Sequence, residues 1–295
     1  MADSPGKRRV IGITLGDAAG VGPEVIRAAL ASGKLDPDFD HRLLGESRGA
    51  VPGKPTPETA RDALSALEEA ARLAAAGEIA AVVTGPIHKA RMQAEGFAFP
   101  GQTEFFANRW ETENFAMLLT GGALTVALVT AHVPLKQVPE LLTAEEIVRV
   151  GRLLEDFLLL RIGRRTRVAV AGLNPHAGED GTLGGEEQRI IAPAVAQLAA
   201  GRRVQWTGPL SPDTVFNRAV AGEFDGVLCM YHDQGLIPLK LHAFDQGVNV
   251  TLGLPHVRTS PDHGTAFDIA GAGRARPESM IAAINLAAEL VKARR

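Results

Sequence analysis

Three histidines stand at the ends of short apolar runs: TVALVTAH closes on His132, VAVAGLNPH on His176 and GVLCMYH on His232. Neutral imidazole is the commonest protein ligand for zinc and similar divalent ions, and three such ligands with an open fourth position define a catalytic site. In open α/β sheets ligands gather outside the carboxyl ends of strands. If the three runs are strands, the trio points to one bound metal. For any one of them the alternative is a surface or hydrogen-bonded core histidine. His41, His88, His242, His256 and His263 lack the pattern or mix with other signals.

A second group is basic. Lys240 follows HDQGLIPL, Arg258 follows VNVTLGLPHV, and Asn249 lies between them. A phosphate or carboxylate is held well by a forked guanidinium, a point-charge ammonium and an amide donor. The competing reading is solvated side chains at strand ends. Asp233, next to His232, could relay a proton, orient the site, or simply accept a hydrogen bond. GDAAGVGPE, at residues 16–24, resembles a nucleotide loop only superficially. Its glycines are not spaced G-x-G-x-x-G, no P-loop lysine follows, and Pro23 removes an amide, so a tight turn packing a helix on a strand is favoured. Thr84-Gly85-Pro86 before Lys89 reads as another strand-to-helix turn, and DHGTAFDIAG, residues 262–271, as a compact loop.

These groups need elements to position them. Short Val/Ile/Leu runs alternate with amphipathic segments, the pattern of βαβ units around a mostly parallel sheet. Strands are expected at 10–15, 81–84, 115–119, 124–130, 167–172, 226–230 and 248–252. The pair 115–119 and 124–130, joined by Thr120-Gly121-Gly122, reads as a hairpin, which makes the sheet mixed. Thr143 with Glu146 forms a capping box for a helix to about residue 160. Helices are also expected from Pro23, from Pro212 and from Pro277. The stretch 49–57, rich in Pro and Gly, is expected to be a surface loop.

The 295 residues are 45% apolar and 22% charged, with a net charge of −3. That is globular chemistry with no basic surface for a nucleic acid. Cys229 is the only cysteine, which excludes an internal disulfide and a cysteine zinc cluster and fits a reducing cytosol. No run reaches the ~18–20 apolar residues of a membrane span, and MADSPGKRRVIGITLG lacks a signal-peptide h-region. The expectation is a soluble cytosolic α/β protein.

GDAAGVGPE, VTGPIHK, LNPHAGEDG, YHDQGLIPLK and GVNVTLGLPHVRTSPDHGTAFDIAG resemble the 4-hydroxythreonine-4-phosphate dehydrogenase family of pyridoxal phosphate biosynthesis, over nearly the whole chain. GVGPEVIRAAL and HGTAFDIAG are also similar to segments of isocitrate and isopropylmalate dehydrogenases. The resemblance implies a two-domain isocitrate/isopropylmalate dehydrogenase-like α/β fold with an interdomain cleft. One domain would be residues 1–122 with 262–295, and the other 123–261, carrying the metal ligands and a homodimer interface. It implies a metal site of His132, His176 and His232 for Zn, Co or Mg. Substrate contacts would be Gln102, Thr103, Lys240, Asn249 and Arg258. A non-Rossmann NAD or NADP site would include His263, Gly264, Thr265 and Asp268. The implied reaction oxidises 4-phosphooxy-L-threonine at its hydroxyl to a β-keto acid that loses carbon dioxide. A 4-phospho-D-threonate or 4-phospho-D-erythronate dehydrogenase of the same family, and a three-histidine hydrolase or aldolase without nicotinamide, are the rivals. Three departures stand out. Gln102 replaces the histidine of the family's G-H-T-E motif, Ala18 replaces a proline, and the region 44–54 is short. Gln can donate and accept hydrogen bonds but carries no protonic charge, so substrate preference or pH dependence is open to change.

Overall fold

The computed structural model describes residues 8–294; residues 1–7 of the segment MADSPGKRRVIGITLG, read above for a leader, lie outside them. Ten strands follow in chain order: β1 (Arg9–Thr14), β2 (Phe39–Leu44), β3 (Ala81–Thr84), β4 (Ala116–Gly121), β5 (Leu124–Leu128), β6 (Arg167–Ala171), β7 (Gln205–Leu210), β8 (Gly226–Cys229), β9 (Val248–Leu252) and β10 (Val257–Pro261). Among the described residues no helix is long and apolar enough to cross a membrane.

The chain forms two compact units, Met1–Glu113 with Leu254–Arg295, and Asn114–Gly253. In the first, the strand order is β2-β1-β3-β10, and every pairing is parallel. Ile11, Ile13, Val82 and Val83 are fully buried there. The helix Pro57–Ala75 covers this sheet with Ala60, Ala63, Leu67, Ala70 and Ala74, a 3-4-3-4 spacing that lines up one helical face. Its first turn is closed by Thr56 and Thr59, each side chain accepting the other's backbone N–H.

In the second unit the order is β9-β4-β5-β8-β6-β7. The β4 strand runs antiparallel to both β9 and β5, so the hairpin read from Thr120-Gly121-Gly122 is present. The pairs β5·β8, β8·β6 and β6·β7 are parallel. Helix Ala144–Ile162 starts where Thr143 Oγ1 accepts the Glu146 N–H; the Glu146 carboxylate pairs with Arg149.

Three strands escaped the sequence reading. FDHRLL of β2 and VRTSP of β10 mix polar residues into the run, and QWTGPL of β7 carries a Gly-Pro. β7 ends its unit's strand order, the place where a strand tolerates proline. The helix expected from Pro212 begins instead at Val215. Ser211 and Pro212 occupy the preceding turn, whose Ser211 carbonyl accepts from Thr214 and Val215. The unit boundaries also fall earlier than the residues 122/123 and 261/262 read from sequence. β4 finds its partners in β5 and β9, and β10 pairs with β3.

Helix His232–Ala243 ties the site to the core. Leu236 and Leu239 join Leu124, Val126, Leu128, Val227 and Cys229 in one buried cluster. Burial pushes the Cys229 thiol far up, so it acts as a small apolar core residue. Leu239 is completely buried, and its truncation leaves a cavity. Leu239→Ala is expected to cost about 2–5 kcal/mol, read as a lower urea midpoint at unchanged slope.

Candidate active site

The three histidines follow three strands that are neighbours in the sheet. His132 comes after β5, His232 after β8 and His176 after β6, and the local order is β5-β8-β6, all parallel. Neighbouring strands lie about 4.8 Å apart, so their carboxyl ends open side by side. Two buried side chains fasten these ends. Thr130 donates from both its backbone N–H and its hydroxyl to the Met230 carbonyl, at 3.1 and 2.8 Å, locking the exit of β5 to that of β8. Gln234 accepts the Met230 N–H at 2.7 Å and donates to the Gly172 carbonyl at 2.7 Å, locking β8 to β6. Sequence reasoning passed over both; the signal available was a polar residue two positions from His132 and from His232.

The His132 and His232 rings stand with centroids 5.5 Å apart. Asp233 Oδ1 is 2.7 Å from His232 Nδ1; a proton on Nδ1 leaves Nε2 with its lone pair free for a metal. His176 is exposed, on a turn of left-handed backbone, near enough to Asp213 to help the Ser211 hydroxyl hold that carboxyl below its ordinary range. Among the described residues of one chain, no group of three or more His, Cys, Asp or Glu side chains is placed to hold a metal ion. The structure thus brings together His132 and His232 and leaves His176 outside that pair. The donor chemistry of the pair fits a borderline divalent ion. Lys240 lies half-buried on helix His232–Ala243, and Asn249, also half-buried, on β9.

In the first unit Arg258, on β10, is 4% exposed. Its Nη2 donates to Thr84 Oγ1 at 2.7 Å and to Gln102 Oε1 at 2.8 Å. The Gln102 amide is held at its other end too, since Nε2 donates to the Gly85 carbonyl at 3.1 Å. Gly85 closes on the exit of β1, where a Cβ would lie 2.6 Å from the Leu15 carbonyl. Burial draws the Arg258 pKa down to about 10, opposed by the Glu104 carboxylate, so the guanidinium is charged at neutral pH. Thr84, Gln102 and the Glu104 carboxylate thus surround the buried cation. Thr103 follows Gln102 in helix Gln102–Arg109. Thr84 and Glu104 are the polar members that sequence reasoning did not single out.

The loop of His263, Gly264, Thr265 and Asp268 sits on the GDAAGVG turn of the same unit. The Val21 N–H donates to the Thr265 carbonyl at 2.9 Å. His263 Nδ1 approaches the Gly264 carbonyl at 3.0 Å, while its Nε2 is buried with no hydrogen-bond partner. Gly264 has open space around it and Asp268 is exposed. An orphaned buried nitrogen beside an open glycine fits a ligand-binding loop. The turn beneath is structural. Gly16 has φ +72°, and a Cβ on it would lie 2.2 Å from the Pro86 carbonyl oxygen. The short 44–54 region folds onto this turn, with the Gly53 N–H donating to the Ala19 carbonyl at 2.8 Å.

The fold is an α/β one, with a mixed, mostly parallel sheet, that other solved proteins share. A β-decarboxylating dehydrogenase from Thermococcus kodakarensis, 18% identical, matches 96% of this chain and 84% of its own with a TM-score of 0.58. The profile described as pyridoxal phosphate biosynthetic protein PdxA matches residues 27–287, and the chain belongs to that family. A 4-hydroxythreonine-4-phosphate dehydrogenase from Desulfosudis oleivorans is 44% identical over 95% of each chain. The crystal structure of a 4-hydroxythreonine-4-phosphate dehydrogenase from Klebsiella pneumoniae is 38% identical, covering 96% of this chain and 99% of that one, with a TM-score of 0.80.

Two variants test the Arg258 group. Arg258→Lys removes the fork that reaches Thr84 and Gln102 together; a lost hydrogen bond to a charged group is worth about 1.5–3 kcal/mol, so kcat/KM is expected to fall roughly 10- to 150-fold. Gln102→His restores a titratable group. The ratio of its kcat/KM to that of the parent is expected to change through about pH 6.5, and a flat ratio between pH 5.5 and about 8 contradicts a link between this position and Arg258.

Proposed function

We propose that this protein is a metal-dependent, NAD- or NADP-dependent dehydrogenase that oxidises 4-hydroxythreonine 4-phosphate in pyridoxal phosphate biosynthesis. The observation that carries the reading is the arrangement of His132, His232 and His176 after three adjacent parallel strands, in a chain whose relatives bear that enzyme name. His132, His232 and His176 would hold the ion. When bound, a divalent ion supplies Lewis-acid chemistry at the substrate hydroxyl and a nicotinamide supplies a hydride acceptor.

The chain's own residues supply placement. Asp233 orients the His232 imidazole through Nδ1. Arg258, steadied by Gln102 and Thr84, holds an anionic group of the substrate, and Lys240, Asn249 and Thr103 are further contacts. His263, Gly264, Thr265 and Asp268 are assigned to the nicotinamide cofactor. Fixing both ends of a small phosphorylated acid converts binding energy into alignment of the carbon that loses hydride. Oxidation releases one proton and yields a β-keto acid, from which carbon dioxide can leave.

A homodimer accounts for the metal donors found in one chain. Ile237, Leu241 and Phe244 are 65%, 88% and 74% exposed. Ile237 and Leu241 lie four residues apart on one face of the helix that begins at His232 itself, and Phe244 follows at the start of the short turn Phe244–Gln246. A second copy seated on this stripe would meet the first beside its histidines, where the missing donor is needed. A single buried thiol suits a reducing cytosol.

Purified protein given 4-hydroxythreonine 4-phosphate, 4-phospho-D-threonate or 4-phospho-D-erythronate is expected to reduce nicotinamide with the first and to lose that turnover on chelation. Turnover with only the other two corrects the substrate, and turnover that survives complete chelation rejects the metal. Leu241→Asp with Phe244→Asp is expected to halve the sedimenting mass and abolish metal-dependent activity; an unchanged dimer rules out this helix face as the contact.

A further inference from the structure

Beyond β6 the chain enters the turn that carries His176, and this turn is conformationally expensive. His176, Ala177, Gly178, Glu179 and Asp180 have φ values of +52°, +52°, +80°, +42° and +55° in succession. Only glycine adopts that region freely; side-chain-bearing residues stay there when their surroundings over-determine them, and such strain gathers at functional sites.

The group that over-determines it is Glu187. This residue is 3% exposed and opens a single π-helical turn, Glu187–Ile191, a distortion found often at functional sites. Its Oε1 accepts the backbone N–H groups of Leu173 and Asn174, both at 2.7 Å. Its Oε2 accepts from the Asn174 side-chain amide at 3.0 Å, and the same amide donates to Glu186 Oε2 at 2.8 Å. Closeness is enforced as well: a Cβ on Gly178 would lie 2.7 Å from Glu187 Oε2, and one on Gly172 3.1 Å from Oε1. The carboxylate thus grips the chain two and three residues before His176 and presses on the glycine two residues after it.

We propose that Glu187 is a positioning residue, whose carboxylate fixes the left-handed turn so that His176 presents its imidazole to the divalent ion. The inference rests on the reading of His176 as a metal ligand. Outer partners of metal ligands are worth about 10- to 100-fold in metal affinity.

The test is calorimetric titration of Zn²⁺ into chelator-stripped full-length protein, well below its unfolding temperature, for the parent, Glu187→Ala, Glu187→Gln and His176→Ala. Glu187→Ala is expected to weaken Zn²⁺ binding about 10- to 100-fold. Glu187→Gln, which keeps one oxygen for the two backbone N–H groups, is expected to lie between it and the parent. A merely structural role would lower the melting temperature of the metal-free protein and leave the dissociation constant alone, and that result overturns the proposal. If His176→Ala loses affinity and both Glu187 variants keep it, Glu187 has no such role while the metal reading stands. If His176→Ala binds as the parent does, both fall. Should Glu187→Ala fail to fold, Glu187→Gln decides: weaker binding supports the role and an unchanged constant ends it.

Discussion

The hydrogen bonds that fasten the exits of β5, β8 and β6 to one another are the constraint on which the rest of the site depends. A parallel sheet sets its strands about 4.8 Å apart, which brings three strand ends together without fixing the loops beyond them. Thr130 and Gln234 supply that fixing. They spend buried polar groups on the Met230 and Gly172 backbone, two residues before His232 and four before His176. Each bond satisfies a backbone group that a loop would otherwise leave unpaired in a dry interior. The result is a rigid platform on which His232 and His132 lie ring beside ring.

The same economy recurs in the first unit. Gly85 must be glycine to approach the exit of β1, and its carbonyl, so placed, fixes the Gln102 amide, which in turn fixes Arg258. A buried guanidinium is costly unless neighbours accept its protons; Thr84 and Gln102 do so, and the Glu104 carboxylate favours its charge. A glutamine in this place carries no titrating proton near neutrality, as a histidine would.

Much of this was legible in the sequence. Histidines at the ends of apolar runs marked the carboxyl side of β5, β6 and β8, and the hairpin between β4 and β5 was visible in Thr120-Gly121-Gly122. The legibility ended where burial and polarity part company. β2, β7 and β10 are strands with polar residues or proline in them, so neither alternation nor an apolar run betrays them. Thr130, Glu187 and Gln234 act through backbone groups distant in the chain, and no spacing rule reports such partners. The boundary of the two units was misplaced for a related reason: strand pairing decides the unit to which β4 and β10 belong, and pairing is non-local.

The account stands on three imidazoles meeting one ion. Anomalous diffraction from crystals grown with Co²⁺ tests this most directly. It predicts one peak per chain within coordination distance of His132, His232 and His176, with at least one of the three contributed by the partner subunit. A peak bound by oxygen ligands elsewhere, or one that His176 from neither copy approaches, would contradict it.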